Sequence, residues 1–262
     1  MTPRARITGD AGRVSLSVFI TGGSRGLGLG IAREHLRRGD RVALLARRRP
    51  GLEAAARSLE AGPGTLMLYA ADVRNEVAVH EAIGAFARES GSIDRLYANA
   101  GAIESPGAGN AFDRGVFETN IYGVVNAVEG WLATSPVAGS KVGIISSFSA
   151  FRGLPHLPAY GASKAAVTLY AESLRGRLRG SGLAVTTAFL GYLDSELSSS
   201  RRPSILVTPS ATAARVVVVA VDRGAPRLAY PLLVRLAVFG TRCLPDALYD
   251  RLVARRYRKA GP

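Results

Sequence analysis

Tyr160 and Lys164 stand four residues apart in the stretch AYGASKAAV. On a helix this spacing puts both side chains on one face. A phenol, with an ordinary pKa of about 10, is a poor acid–base group at neutral pH. A neighbouring ammonium stabilises the phenolate and makes proton loss easier. A tyrosine so placed can give a proton to a carbonyl oxygen, or take one from an alcohol. An isolated Tyr/Lys pair is ordinarily a solvated helix face. Its meaning therefore depends on the elements that position it.

Those elements alternate. Short apolar runs occur at Val14–Ile20, Arg41–Ala46, Thr65–Ala70, Asp94–Ala98, Val142–Ser146 and Ala184–Leu190. Helical patterns fall between them, at Leu27–Arg38, Leu52–Glu60, Val77–Glu89, Val116–Ala133 and Tyr160–Leu178. Continuous apolar runs between amphipathic helices indicate parallel strands covered on both faces. The expectation is an α/β chain, a single-domain Rossmann-type doubly wound parallel sheet with helices on both faces. Ligands of such sheets bind beyond the carboxyl ends of the strands. The catalytic domain is expected over 1–229, with a Ser/Arg-rich lid near 195–209 and an apolar, basic extension over 230–262.

The first run ends in TGGSRGLG, Thr21 to Gly28. Glycines between a strand and a helix permit a tight turn and let backbone N–H groups approach a pyrophosphate. With 30 glycines in the chain, a lone cluster would carry little weight, and its place after the first strand is what gives it some. The spacing Gly22-x-x-x-Gly26-x-Gly28 differs from G-x-G-x-x-G. It resembles instead the T-G-x-x-x-G-x-G of the short-chain dehydrogenase/reductase family, and Tyr160-x-x-x-Lys164 resembles that family's second motif. The resemblance runs from Val14 to about Ala220.

It implies an oxidoreductase that interconverts a ketone or aldehyde and an alcohol. Tyr160 and Lys164 would handle the proton, and NAD(P)(H) the hydride. Ser147 lies thirteen residues before Tyr160, where the family has its catalytic serine, and Asn120 matches the family's helix asparagine. Cofactor contacts would come from Gly22, Ser24, Arg25, Gly26, Leu27 and Gly28, from Asp72 and Val73, and from Asn99, Ala100 and Gly101. Tyr160 and Lys164 themselves would add to these, as would Gly191, Leu193 and Ser195. Asp72 has a second reading, as a helix N-cap. The turn after the sixth run departs from the family pattern, with Leu190 for proline and Ser195 for threonine.

The second run ends in Ala46-Arg47-Arg48-Arg49. An acid here would accept from the ribose 2′-hydroxyl of NAD. Arginines favour the 2′-phosphate of NADP(H) through charge-assisted hydrogen bonds. Arg47 and Arg25 are the expected pair, and at least one of Arg48 and Arg49 should merely face solvent. The substrate candidates are Ser149, Phe151 and Tyr192, in a mostly apolar pocket suited to a lipophilic carbonyl. Arg152, Arg201 and Arg202 would either attract an anion or be solvated.

The formal net charge is +14. A polyanionic partner and plain compositional drift both account for it. The basic residues lack the interleaved aromatics of a single-strand-binding groove, so no nucleic-acid partner is expected. One cysteine, Cys243, excludes an intrachain disulfide, and its apolar neighbours suggest a buried, inert thiol. His35, His80 and His156 show no metal-ligand spacing, and the first two read as ordinary surface or edge residues; no metal is expected. No stretch is apolar and long enough to span a bilayer, and no secretory leader is evident. A cytoplasmic homodimer or homotetramer is expected, with peripheral membrane contact through the tail as one option. The tail has two others, packing on a partner subunit or covering the active site. The rival to a carbonyl reductase is a noncatalytic NADP(H)-binding sensor, which would need no Tyr160/Lys164 pair.

Overall fold

Strand β1 (Ser17–Thr21) is buried at every position, as a central strand must be when helices cover both its faces. It pairs in parallel with β2 (Arg41–Ala46) on one side and β4 (Arg95–Ala98) on the other. The full sheet adds β3 (Thr65–Ala70), β5 (Lys141–Ser147), β6 (Ala184–Leu190) and β9 (Arg227–Tyr230), in the order β3-β2-β1-β4-β5-β6-β9. Every pairing is parallel. The computed structural model describes residues 14–59, 62–103, 110–154, 157–194, 207–232, 240 and 243–251.

Side chains alternate across β1 with a period of two. Val18 and Ile20 face helices α1 (Gly26–Arg37) and α7 (Ser210–Asp222), with α2 (Arg49–Ser58) beside them. Phe19 faces α3 (Glu76–Ser90), α5 (Gly123–Ala133) and α6 (Pro158–Arg177). The chain runs outward from β1 to β3 and then crosses back to β4. The resulting crevice lies between the carboxyl ends of β1 and β4, where such sheets take ligands.

β2, β3 and β6 have the expected bounds. The helix expected over Val116–Ala133 is instead two helices, α4 (Asn110–Phe117) and α5, joined by one π-helical turn, Glu118–Tyr122. α7 and β9 lie beyond the expected elements, and β9 forms the sheet's second edge. Four consecutive valines in α7 suit a strand. The helix wins because Asp194 holds its start, accepting from the backbone N–H and hydroxyl of Ser210, each at 2.6 Å. Of the 195–209 lid, only 207–209 are described; Val207–Thr208 form β8, paired with β7 (Tyr192–Leu193).

Two residues are not where the sequence pattern puts them. His35 is fully buried rather than at the surface. The turn at Gly39 (φ +80°) folds Asp40 back under α1, so that Asp40 Oδ2 lies 2.7 Å from His35 Nδ1, and Tyr97 OH lies 2.9 Å from Nε2. Cys243 is exposed rather than buried. Its segment is anchored further along, by Tyr249, which is 9% exposed.

Candidate active site

The glycine turn is held by the end of β4. The backbone N–H groups of Asn99 and Ala100 both donate to Thr21 Oγ1, each at 3.1 Å. Asn99 Nδ2 in turn donates to the carbonyls of Thr21 (2.9 Å) and Gly22 (3.1 Å). Gly22 takes φ +67°, a conformation that favours glycine, and a Cβ there would stand 2.7 Å from Ala100 Cα. A Cβ at Gly28 would stand 2.4 Å from the Gly22 carbonyl oxygen. Packing against β4 is thus one reason for these glycines. Thr21 escaped the sequence reading, although it is the first residue of the motif.

The same turn opens α1. Arg25, the N-cap residue, makes no side-chain cap, and the first turn holds no acid. The first amide groups of a helix have no partner within it, and they carry its positive end. An anion suits this place, so the residues present fit a dinucleotide's pyrophosphate. Ser24 lies beside the start of α2, its Cβ 3.9 Å from where a Cβ of Gly51 would be. That neighbourhood sets the glycine turn beside α2, the helix into which the arginines after β2 lead. Arg47, Arg48 and Arg49 are all exposed. Arg49 is engaged by Glu53 (3.1 Å) and the Leu68 carbonyl (3.3 Å).

Asp72 does not cap α3; Asn75 does, its Oδ1 accepting from Ala78 N at 3.1 Å. Asp72 instead binds Arg74, with Arg74 Nη2 2.7 Å from Oδ2. Burial works against the Asp72 charge, but the hydrogen bonds and charge of Arg74, helped by the charge of Arg47, hold its carboxyl below the usual carboxylate range. Val73 is a core residue whose carbonyl accepts from Asn126 Nδ2 at 2.9 Å.

The residues expected to handle the proton converge at the ends of β4 and β5. Lys164 is 4% exposed, and its Nζ donates to the Ile145 carbonyl at 2.9 Å. The same Nζ lies 5.7 Å from the centre of the Tyr160 ring. Burial pushes the Lys164 ammonium down to about 8. Ser147 closes β5, two residues after Ile145. Its Oγ accepts from Ser149 N at 3.2 Å, capping the 3₁₀ turn Phe148–Ala150. A hydroxyl that accepts in this way keeps its proton for another partner. Ser146, by contrast, is structural, its hydroxyl bonded to the Lys164 carbonyl at 3.1 Å.

Asn120 sits fully buried in the π-helical turn. Its Oδ1 accepts from Ala102 N at 2.7 Å, and its Nδ2 donates to Ala102 O and Ser163 Oγ, each at 2.9 Å. It therefore bolts the loop after β4 to α6. A Cβ placed on Gly101 would be 3.4 Å from Asn120 Oδ1 and 3.7 Å from Lys164 Nζ. Asn120, Gly101 and Lys164 thus meet at one point.

Beyond Ser147 the chain brings aromatic rings together. Phe151 packs on Phe189 with ring centres 4.7 Å apart, and lies 6.4 Å from Phe148. Ser149 Oγ is buried with no hydrogen-bond partner among the described residues. Gly191 donates its N–H to the Tyr230 carbonyl at 3.0 Å, and Leu193 packs on the core, so the turn after β6 keeps a defined path without proline. Ser195, His156, Arg201 and Arg202 lie outside the described residues. Arg152 is partly buried and paired, its Nη2 lying 2.9 Å from Asp246 Oδ1. No group of three or more metal-ligating side chains occurs among the described residues, and no described helix is long and apolar enough to cross a membrane.

The family model described as short chain dehydrogenase matches residues 17–205. This chain belongs to the short-chain dehydrogenase/reductase family. It is an oxidoreductase of the kind that uses a nicotinamide dinucleotide on a small-molecule substrate. The dehydrogenase is 34% identical over 251 residues to an uncharacterised oxidoreductase of Myxococcus xanthus, covering 92% of this chain and 97% of that one. An uncharacterised oxidoreductase of Mycobacterium tuberculosis is 33% identical over 221 residues, covering 82% and 87%. 11-beta-hydroxysteroid dehydrogenase 1A of Arabidopsis thaliana is 31% identical over 189 residues, which is 70% of this chain but 54% of that protein. Among solved structures, a double mutant of a Serratia marcescens short-chain dehydrogenase/reductase shares the fold, with TM-score 0.74 and 20% identity over 82% of this chain and 95% of that one.

Proposed function

We propose that this dehydrogenase is an NADP(H)-dependent carbonyl reductase acting on a lipophilic ketone or aldehyde. The observation that carries the reading is the buried ammonium of Lys164 set 5.7 Å from the Tyr160 ring. Burying a lone ammonium is costly. Its placement beside a phenol gives that cost a purpose, the stabilisation of phenolate. Tyr160 gives its proton to the carbonyl oxygen, and Ser147 donates a hydrogen bond that orients that oxygen. When bound, NADPH supplies hydride to the carbonyl carbon. In the reverse direction Tyr160 takes the alcohol proton. A noncatalytic sensor would gain nothing from the buried cation.

The cofactor would lie along Gly22, Ser24, Gly26, Leu27 and Gly28, along Asn99, Ala100 and Gly101, and toward Gly191 and Leu193. Arg25 and Arg47 favour a 2′-phosphate, and no acid stands among the four residues after β2 to favour the 2′-hydroxyl. Phe148, Phe151 and Phe189 support an apolar substrate, with Ser149 and Tyr192 at its edge. The hydroxysteroid dehydrogenases among the relatives are in keeping with that class. Tyr122 and Leu169, 61% and 65% exposed on the segments bearing Asn120 and Tyr160, support self-association there.

The test is NADPH oxidation across lipophilic ketones, aldehydes and 3-oxoacyl thioesters, with Tyr160→Phe alongside. The variant should bind NADPH and reduce nothing. Full activity in Tyr160→Phe refutes the mechanism, and no turnover by the parent chain refutes the reductase.

A further inference from the structure

Residues 243–251 come back across the loop that follows the catalytic strand. Arg152, five residues after Ser147, is the point of attachment. Its guanidinium lies 4.2 Å over the centre of the Tyr249 ring, while its Nη2 donates to Asp246 Oδ1 at 2.9 Å and to the Leu244 carbonyl at 3.5 Å. Tyr249 OH donates to the Gly153 carbonyl at 2.6 Å. The returning segment therefore grips two consecutive residues, Arg152 and Gly153. Immediately before them stands Phe151, whose ring packs on Phe189.

The grip is unequal along its length. Asp246 is 89% exposed, so solvent screens its ion pair. Tyr249 is 9% exposed, and it combines a cation–π contact with a hydrogen bond to backbone. The fastening thus rests on Tyr249 and Arg152 rather than on the carboxylate. Without it, the loop Phe148–Leu154 would be held by the Ser147–Ser149 bond, its own 3₁₀ turn and the ring packing of Phe148 and Phe151, and nothing described in the segment would fasten Arg152 and Gly153.

We propose that residues 243–251 form a strap that fixes the aromatic wall of the substrate pocket, with Arg152 and Tyr249 as positioning residues that set substrate selectivity. This rests on the carbonyl reductase reading for its substrates. Whether the strap holds the loop is measurable separately from any turnover. Neither residue belongs to the proton-handling set, so the effect falls on substrate affinity and leaves the chemical step in place.

The experiment uses the whole chain and compares Tyr249→Ala, Tyr249→Phe and Asp246→Asn with the parent. Hydrogen exchange is followed over residues 148–154, and steady-state kinetics with a bulky lipophilic ketone and a short aldehyde. Tyr249→Ala should speed exchange in the loop. It should also raise KM for the bulky ketone on the order of tenfold relative to the aldehyde, the scale of a lost pocket contact. Its kcat and its affinity for NADPH should stay within about twofold of the parent's. Tyr249→Phe, which keeps the ring, should fall between, and it stands in for the alanine variant if that one fails to fold. Asp246→Asn should match the parent. Unchanged exchange in the loop overturns the strap. Faster exchange with unchanged KM ratios overturns its role in selectivity. A parent that turns over no carbonyl removes the reductase reading and the selectivity role together, while exchange alone still decides whether the strap holds the loop.

Discussion

Lys164 points its ammonium at the carbonyl of Ile145, 2.9 Å away on the strand that ends two residues later at Ser147. This one bond fixes the cation relative to the serine and beneath the Tyr160 ring. It is also made away from bulk solvent, and burial pushes the ammonium down to about 8. The sign follows. Below that pH Lys164 is charged and, on the proposed mechanism, supports phenolate; above it the charge is lost. The rate constant kcat/KM for carbonyl reduction should therefore decline as pH rises through about 8, since this constant reports groups of the free enzyme. A profile that stays flat to pH 10 would show that the charge of Lys164 is not needed.

Arg47 makes the cofactor preference testable. Losing a hydrogen bond to a charged group costs about 1.5–3 kcal/mol, and the lower end applies to an exposed side chain. Arg47→Ala should then weaken NADPH binding about tenfold. NADH, which has no 2′-phosphate, should bind the variant and the parent alike. Titration of both cofactors by fluorescence decides it, and equal losses for the two would remove Arg47 from the phosphate site.

Gly28 and Gly176 separate packing from composition. A methyl group on Gly28 meets the Gly22 carbonyl at 2.4 Å, and neither backbone segment can yield cheaply. Gly28→Ala should cost about 1–3 kcal/mol as overpacking and should weaken cofactor binding too. Gly176, near the end of α6, has nothing within 4 Å of its Cβ position. Gly176→Ala should gain about 0.5 kcal/mol from helix propensity and leave cofactor binding unchanged. Thermal melting with and without NADPH reads both. Equal stability of the two variants would contradict the tight turn.

Which features the sequence revealed depended on how local their causes are. β2, β3 and β6 announce themselves because a buried parallel strand is a continuous apolar run. The glycine turn and the Tyr160/Lys164 pair are legible because each occupies a few consecutive residues. His35 was misplaced because the partners that bury it, Asp40 and Tyr97, come from a turn and from a strand 62 residues away. Cys243 was misplaced because its apolar neighbours say nothing of Arg152, which organises the segment from 94 residues away at Asp246. The π-helical turn at Asn120 interrupts a pattern that reads as one helix, and it is needed to aim that side chain at Ala102 and Ser163.

Asn120 allows the electrostatics of the site to be altered without touching Tyr160 or Lys164. The Cβ position of Gly101 lies 3.4 Å from Asn120 Oδ1 and 3.7 Å from Lys164 Nζ, so the two atoms are at most about 7 Å apart. In Asn120→Asp the outer shape is kept, and Ala102 N can still donate to the side chain. The two bonds donated by Nδ2 are lost, and a buried carboxylate faces the Ala102 carbonyl. Stability should fall by about 1–3 kcal/mol. At an effective dielectric constant of about 20, a carboxylate about 7 Å from the ammonium favours its charged form by roughly 2 kcal/mol. An opposite charge raises a lysine pKa, so the decline in kcat/KM should move alkaline by about one and a half pH units. Asn120→Ala, which loses these two bonds and the one from Ala102 N without adding charge, should melt lower still but keep its decline near 8. If the two variants share one pH profile, Asn120 is too far from Lys164 to act on its charge, and its role is confined to joining the β4 loop to α6.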